Sequence, residues 1–140
     1  MLIGQYSYAI DDKGRLSFPP RFRDEMGESF VVTRWIEDSC LVAFPEAEWE
    51  DMAQRLGTKG TVQSREAQLN LYAFAAQVQP DKQGRILIPA DLRQLVGIDR
   101  DVTVVGVGRH AEIWDSATWA ERRARLSAKT LRQTFEELEL

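Results

Sequence analysis

The sequence predicts an α+β fold made of two pseudo-symmetric copies of one unit, with helices flanking short strands. Three observations predict it. The chain of 140 residues matches itself when slid by 70, half its length. Each half carries the same turn, Asp-x-x-Gly-Arg, between short strand-like runs. Behind each turn lies a stretch that opens with proline and closes with glycine, as a short helix does.

The self-match has no gap. Asp11 falls on Asp81, Gly14 on Gly84, Arg15 on Arg85, Pro19 on Pro89, Arg23 on Arg93 and Gly27 on Gly97. Further on, Val32 and Thr33 meet Val102 and Thr103, Trp49 meets Trp119, and Arg55 and Leu56 meet Arg125 and Leu126. Chance is a poor source for a series of Gly, Pro and Trp matches, so the chain is read as two copies of one unit. Two copies are too few for a solenoid, and a two-fold pseudo-symmetric fold is expected instead.

Each unit then reads in order. Tyr6 to Ile10 alternates weakly and fits a strand. Asp11 to Gly14 is a turn with Asp first and Gly fourth, as a type I turn prefers. Arg15 to Phe18 leaves it as a second strand, with Leu16 and Phe18 on one face and Arg15 and Ser17 on the other. Pro19 or Pro20 starts a short helix that Gly27 ends. Phe30 to Ile36 and Cys40 to Phe44 form a hairpin through Glu37-Asp38-Ser39. Pro45 opens a helix to about Leu56 with Trp49, Met52 and Leu56 along one face. Gly57 to Ser64 is polar and reads as a linker, with a short helix from Ser64 to about Leu71.

The second unit repeats the plan. Phe74 to Gln79 and Arg85 to Ile88 are strands around the turn Asp81 to Gly84. A helix runs from Pro89 to Val96. A hairpin covers Val102 to Trp114 and turns near Gly108-Arg109. Ser116 is the expected N-cap of a helix holding Trp119, Arg122, Arg123 and Leu126. Lys129 to Leu138 has Leu131, Phe135 and Leu138 at helical spacing. The expected organisation is therefore a first repeat over 1–60, a linker and short helix over 61–72, a second repeat over 73–128 and a helical tail over 129–140.

Composition excludes several classes. Hydrophobic residues make up 44% and charged residues 29% of the chain, the range of a soluble globular protein. No apolar run approaches the roughly 20 residues of a membrane helix. No basic start followed by an apolar stretch marks a signal peptide, so the expected place is the cytoplasm. The lone Cys40 has no disulfide partner in the chain, which agrees with a reducing compartment. The net charge of −4 disfavours a generally basic nucleic-acid binder but allows a local basic patch.

Reactive groups are few. One histidine, His110, and one cysteine, Cys40, formally permit a nucleophilic pair. They lie 70 residues apart, at equivalent places in the two units, so a buried Cys and a surface His are expected instead. No ligand spacing suggests a zinc site, and no glycine-rich loop precedes a helix to hold phosphate. Neither a catalytic site, a metal nor a cofactor is expected.

The turn arginines carry the functional signal. Asp11, Gly14, Asp81 and Gly84 are explained by turn chemistry. In a single hairpin the arginine reads as a solvated strand residue paired with its Asp, but its repetition at Arg15 and Arg85 is not explained that way, because any polar residue would serve on the exposed face of a strand. An arginine fork can donate two hydrogen bonds to guanine O6 and N7 in the major groove, which admits a β-ribbon. Lys13 and Lys82, within the turns, would meet phosphate as point charges. The basic run Arg122-Arg123-Arg125-Lys129 competes for that role. A charged outer helix face, with Trp119 and Leu126 turned inward, is the simpler reading of it.

Two Asp-x-x-x-Arg motifs in a duplicated chain resemble the MraZ family of bacterial transcriptional regulators. "GQYSYAIDDKGRLSFPPRFR" and "DKQGRILIPADLR" are both similar to the family's patterns, and the resemblance covers essentially the whole chain. It implies AbrB-like swapped-hairpin units interlaced into one β-barrel. It implies binding to double-stranded DNA at short G-rich repeats in the promoter of the protein's own division and cell-wall operon, commonly with repression. It also implies rings of several subunits at the nucleoid, with Arg15 and Arg85 on DNA flanked by Lys13 and Lys82. Gln83 stands where the first motif has Lys13, so the halves are not identical readers. The rival readings are a protein-interaction module without DNA, which the acidic pI near 5.1 favours, and an antitoxin of the same fold class.

Overall fold

A computed structural model describes residues 1–140. In chain order the elements are β1 (Gln5–Ala9), β2 (Arg15–Ser17), α1 (Pro20–Met26), β3 (Phe30–Arg34), β4 (Cys40–Pro45), α2 (Glu46–Lys59) and α3 (Val62–Tyr72). They continue with β5 (Ala76–Val78), β6 (Arg85–Leu87), α4 (Ala90–Leu95), β7 (Asp101–Gly106), β8 (Ala111–Asp115), α5 (Ser116–Ala124) and α6 (Ala128–Glu137). The architecture is α+β, with antiparallel strand pairing and six helices.

The strands form a six-stranded sheet, ordered β1-β7-β8-β4-β3-β5, and a separate two-stranded ribbon of β2 and β6. Four pairings cross between the repeats: β1 with β7, β4 with β8, β3 with β5, and β2 with β6. The turn at Asp11 therefore does not close a paired hairpin. The strands on either side of it separate and find partners in the other half of the chain. The expected closed barrel is not present, because the large sheet ends at β1 and β5 and the ribbon is not bonded into it. Pro19 and Pro89 follow the ribbon strands and lack the N–H that would extend the ladder.

The central strands are buried on both faces, which is why they read as nearly continuous apolar runs. Phe30, Val32, Leu41, Ala43, Val102, Val104 and Ile113 face a core shared with Leu16 and Ile86 of the ribbon, Phe22 and Met26 of α1, and Leu92 of α4. Phe18 sits among rings, 5.1 Å from the Phe30 centroid and 6.1 Å from that of Phe22. The alternate residues Val31, Thr33, Val42, Phe44, Thr103 and Trp114 are also buried, under the layer of α2, α3 and α5. Leu16 and Ile86, opposite each other and fully buried, pin the ribbon to the core. Burying each contributes about 1.5–3 kcal/mol.

The ends of three helices differ from expectation. Gly57 lies inside α2, which runs on to a left-handed Gly60. α3 begins at Val62, capped by Thr61, whose side chain accepts from Ser64 N–H at 3.0 Å. α5 is capped by Asp115 rather than Ser116, and it stops at Ala124. Leu126 therefore lies outside it and is exposed instead of turned inward. α6 has no buried residue, and Leu131, Phe135 and Leu138 are exposed along it. No helix is long and apolar enough to cross a membrane.

Candidate nucleic-acid interface

Each Asp-x-x-Gly-Arg turn closes around its own aspartate. In the first, Gly14 N–H donates to Asp11 O at 3.0 Å and Asp11 N–H donates to Arg15 O at 3.0 Å. One carboxylate oxygen, Asp11 Oδ1, accepts from Lys13 N–H at 2.9 Å and from Arg15 N–H at 2.8 Å. The other accepts from Arg15 Nε at 2.9 Å. In the second turn, Asp81 Oδ1 accepts from Gln83 N–H and Arg85 N–H, each at 2.9 Å, and Asp81 Oδ2 accepts from Arg85 Nε at 3.0 Å. Gly14 and Gly84 take φ +88° and +77°, conformations that favour glycine.

These bonds set the electrostatics of the turns. The Arg15 backbone N–H holds the Asp11 carboxyl below its ordinary value, with the Arg15 side chain and the Lys13 N–H adding to it. The Arg85 backbone N–H does the same for Asp81. Each aspartate also fixes its arginine. With Nε held, the two Nη groups make no hydrogen bond within the chain and remain a planar pair of donors.

The ribbon brings the two turns together. Arg15 lies opposite Leu87, and Ser17 opposite Arg85. Opposed residues share a face, so Arg15, Ser17, Arg85 and Leu87 form its outer surface while Leu16 and Ile86 point inward. Arg15 and Arg85 are diagonal neighbours, about 7–8 Å apart in the ladder. Lys13 and Lys82 are exposed in turns at opposite ends of the ribbon. The ribbon ends are tied across the repeats: Phe18 N–H donates to Gly84 O at 3.0 Å, and Ile88 N–H donates to Gly14 O at 2.9 Å.

Two features extend the reading of the motif. Asp11 and Asp81 orient the arginines as well as shape the turns. Leu87 is 56% exposed beside Arg15 on the outer face. Its signal in the sequence is parity: it stands two residues after Arg85 in a strand.

Cys40 and His110 do not meet. Cys40 pairs with Trp114 in the β4–β8 ladder, and Ala43 with Ala111. His110 therefore sits near Phe44, about 13 Å along the strands from Cys40 at about 3.3 Å per residue. Burial pushes the Cys40 thiol well above its ordinary value and lowers that of His110. His110 packs between Trp35 and Phe44, with centroids at 5.4 and 5.3 Å. No group of three or more His, Cys, Asp or Glu side chains is placed to hold a metal ion. In the basic run of α5, Arg122 is occupied: its Nε donates to both carboxylate oxygens of Glu37, at 3.1 and 3.2 Å.

Comparison with known proteins gives a consistent picture. A family model described as "MraZ protein, putative antitoxin-like" matches twice, over residues 1–70 and 71–140. The chain is 44% identical over 120 residues to a protein of Lachnoclostridium phytofermentans named transcriptional regulator MraZ, covering 85% of this chain and 84% of that one. It is 42% identical over 122 residues to the protein of that name from Limosilactobacillus fermentum, covering 86% and 85%. With that of Caldicellulosiruptor saccharolyticus it shares 38% over 143 aligned positions, covering 99% of each chain.

Proposed function

Because the chain belongs to the MraZ family, we propose that it is a transcriptional regulator that binds double-stranded DNA through the β2–β6 ribbon. One observation carries this reading. Two turns of the same geometry, from two repeats, present two arginines on one outer face, each held at Nε and open at both Nη. That is the form of a side chain prepared to donate two parallel hydrogen bonds to guanine O6 and N7. Arg15 and Arg85 read the bases, and Lys13 and Lys82 meet the flanking phosphates. The ribbon is the shape the major groove accepts.

The target is the G-rich repeats ahead of the protein's own division and cell-wall operon, which it represses at the nucleoid. The repeats of the chain act as interlaced swapped-hairpin units, a reading that the four cross-repeat pairings support. The net charge of −4 is reconciled with DNA by assembly. In a ring of several copies each bound ribbon raises the effective concentration of the next, so modest contacts add up. The exposed apolar side of α6 supports such an assembly.

The test is a gel shift with the DNA just upstream of the gene, against scrambled competitor, for wild type, Arg15→Ala and Arg85→Ala. Each variant is expected to lose about 1–3 kcal/mol of discrimination for the specific DNA while unfolding at the wild-type temperature. Wild-type binding should weaken steeply as salt rises. Normal shifting by both variants would end this reading.

A further inference from the structure

An arginine from the opposite repeat covers the glycine of each turn. Arg93, on α4 of the second repeat, lays its guanidinium against Gly14 of the first. A Cβ on Gly14 would meet Arg93 Cζ and Nε at 3.1 Å each. Arg93 Nε donates to Ile88 O at 3.1 Å, and Ile88 N–H donates to Gly14 O at 2.9 Å. Arg93 is thus bonded to the ribbon end that it covers. Arg23, on α1, holds the corresponding place in the other direction, against Gly84. Its Nε atom is buried and has no hydrogen-bond partner. Neither arginine belongs to an ion pair. A planar guanidinium lying on a glycine, without a carboxylate, is not placed as a solvated surface charge.

We propose that Arg93 and Arg23 are positioning residues that hold the DNA-reading arginine of the other repeat, Arg93 for Arg15 and Arg23 for Arg85. This rests on the DNA reading above. The physical reason is short. Gly14 directly precedes Arg15, and Arg15 is fixed to Asp11 through both its N–H and its Nε. Turn and guanidinium therefore move together. Arg93 is the wall behind that turn. Without it, Gly14 faces a gap and the fork loses its fixed aim. Each reading arginine is then built by both repeats: one supplies the turn and the other supplies its backing.

The experiment titrates the full-length protein against its upstream DNA and a set of single-base-pair substitutions of it. Arg15→Lys and Arg85→Lys, which keep charge but lose the fork, mark the base pairs each arginine reads. Arg93→Ala is expected to weaken binding about fivefold, the low end of the cost of one lost base contact. It should flatten discrimination at the base pairs marked by Arg15→Lys and leave those marked by Arg85→Lys as in wild type. Arg23→Ala should do the converse. Arg93→Lys keeps the charge and most of the apolar stem, and it should share the base-pair pattern of Arg93→Ala.

Uniform weakening across all sequences would mean a phosphate contact and would overturn the proposal. So would flattening at the base pairs of the arginine's own repeat, or full recovery with lysine. If Arg15→Lys and Arg85→Lys leave every affinity unchanged, the DNA reading itself fails and the inference falls with it.

Discussion

At the scale of residues, glycine and aspartate set the precision of the turns. Gly14 and Gly60 both have positive φ, but only Gly14 is crowded: a Cβ there would lie 2.8 Å from Ile88 O, a backbone atom that cannot swing aside. Gly60 has nothing within 4 Å. Gly60→Ala is therefore expected to cost about 1 kcal/mol for the left-handed backbone alone. Gly14→Ala should cost at least about 2 kcal/mol more, because steric strain is added to it. Denaturant unfolding of both variants checks the difference.

The titrating residues give stability a pH dependence with a definite sign. His110 is lowered by burial, so its contribution is present above the unfolded value and is lost as pH falls through the lower folded one. Asp11 and Asp81 are lowered by the arginine N–H groups, and their contribution is lost the same way in more acid solution. Cys40 is raised by burial, so stability falls as pH climbs past the ordinary thiol value. Stability should thus peak near neutrality and decline on acidification in two stages. His110→Phe should remove the earlier stage and leave the later one. Unfolding midpoints from pH 8 to pH 3 report the outcome.

At the scale of elements, two kinds of helix stand apart. α1 and α4 bury Phe22, Met26 and Leu92 in the core. α6 buries nothing and depends on its own cap: the Ser127 side chain accepts from Thr130 N–H at 3.1 Å, and Thr130 Oγ1 accepts from Ser127 N–H at 3.0 Å. Ser127→Ala should cost the helix about 1 kcal/mol. It should lower helicity by circular dichroism without moving the main unfolding transition. Loss of the main transition would show that α6 supports the core.

Much at this scale was legible in the chain. The proline starts, the glycine stops and the apolar runs of β3, β4, β7 and β8 are local signals. Gly57 misled because a single glycine can be absorbed inside a helix at about 1 kcal/mol. Asp115 displaced Ser116 as the α5 cap because either side chain can accept the bond, and neighbours in sequence compete for it. Leu126 showed helical spacing, but α5 ends two residues before it.

At the scale of the whole molecule, neither repeat completes its own sheet. β1 of the first rests on β7 of the second, and β5 of the second on β3 of the first. A fragment of residues 1–72 therefore keeps β1 and β2 without their partners. It is expected to show no cooperative unfolding as a monomer, read by denaturation at low concentration with sedimentation as the control. A monomeric fragment with a sharp transition would contradict the dependence of one repeat on the other.

The sequence by itself determined the duplication, the Asp–Gly turns, the repetition of an arginine after each turn glycine, and the kind and order of most elements. These are properties of residues close together in the chain, where dihedral preference and side-chain parity act directly. Only the tertiary structure decided which strands pair, that the large sheet stays open, and that Arg23 and Arg93 cover the glycines of the opposite turns. Those outcomes depend on contacts between residues far apart in the chain, in opposite repeats. Strand pairing uses backbone groups that every residue carries, so no local pattern names the partner.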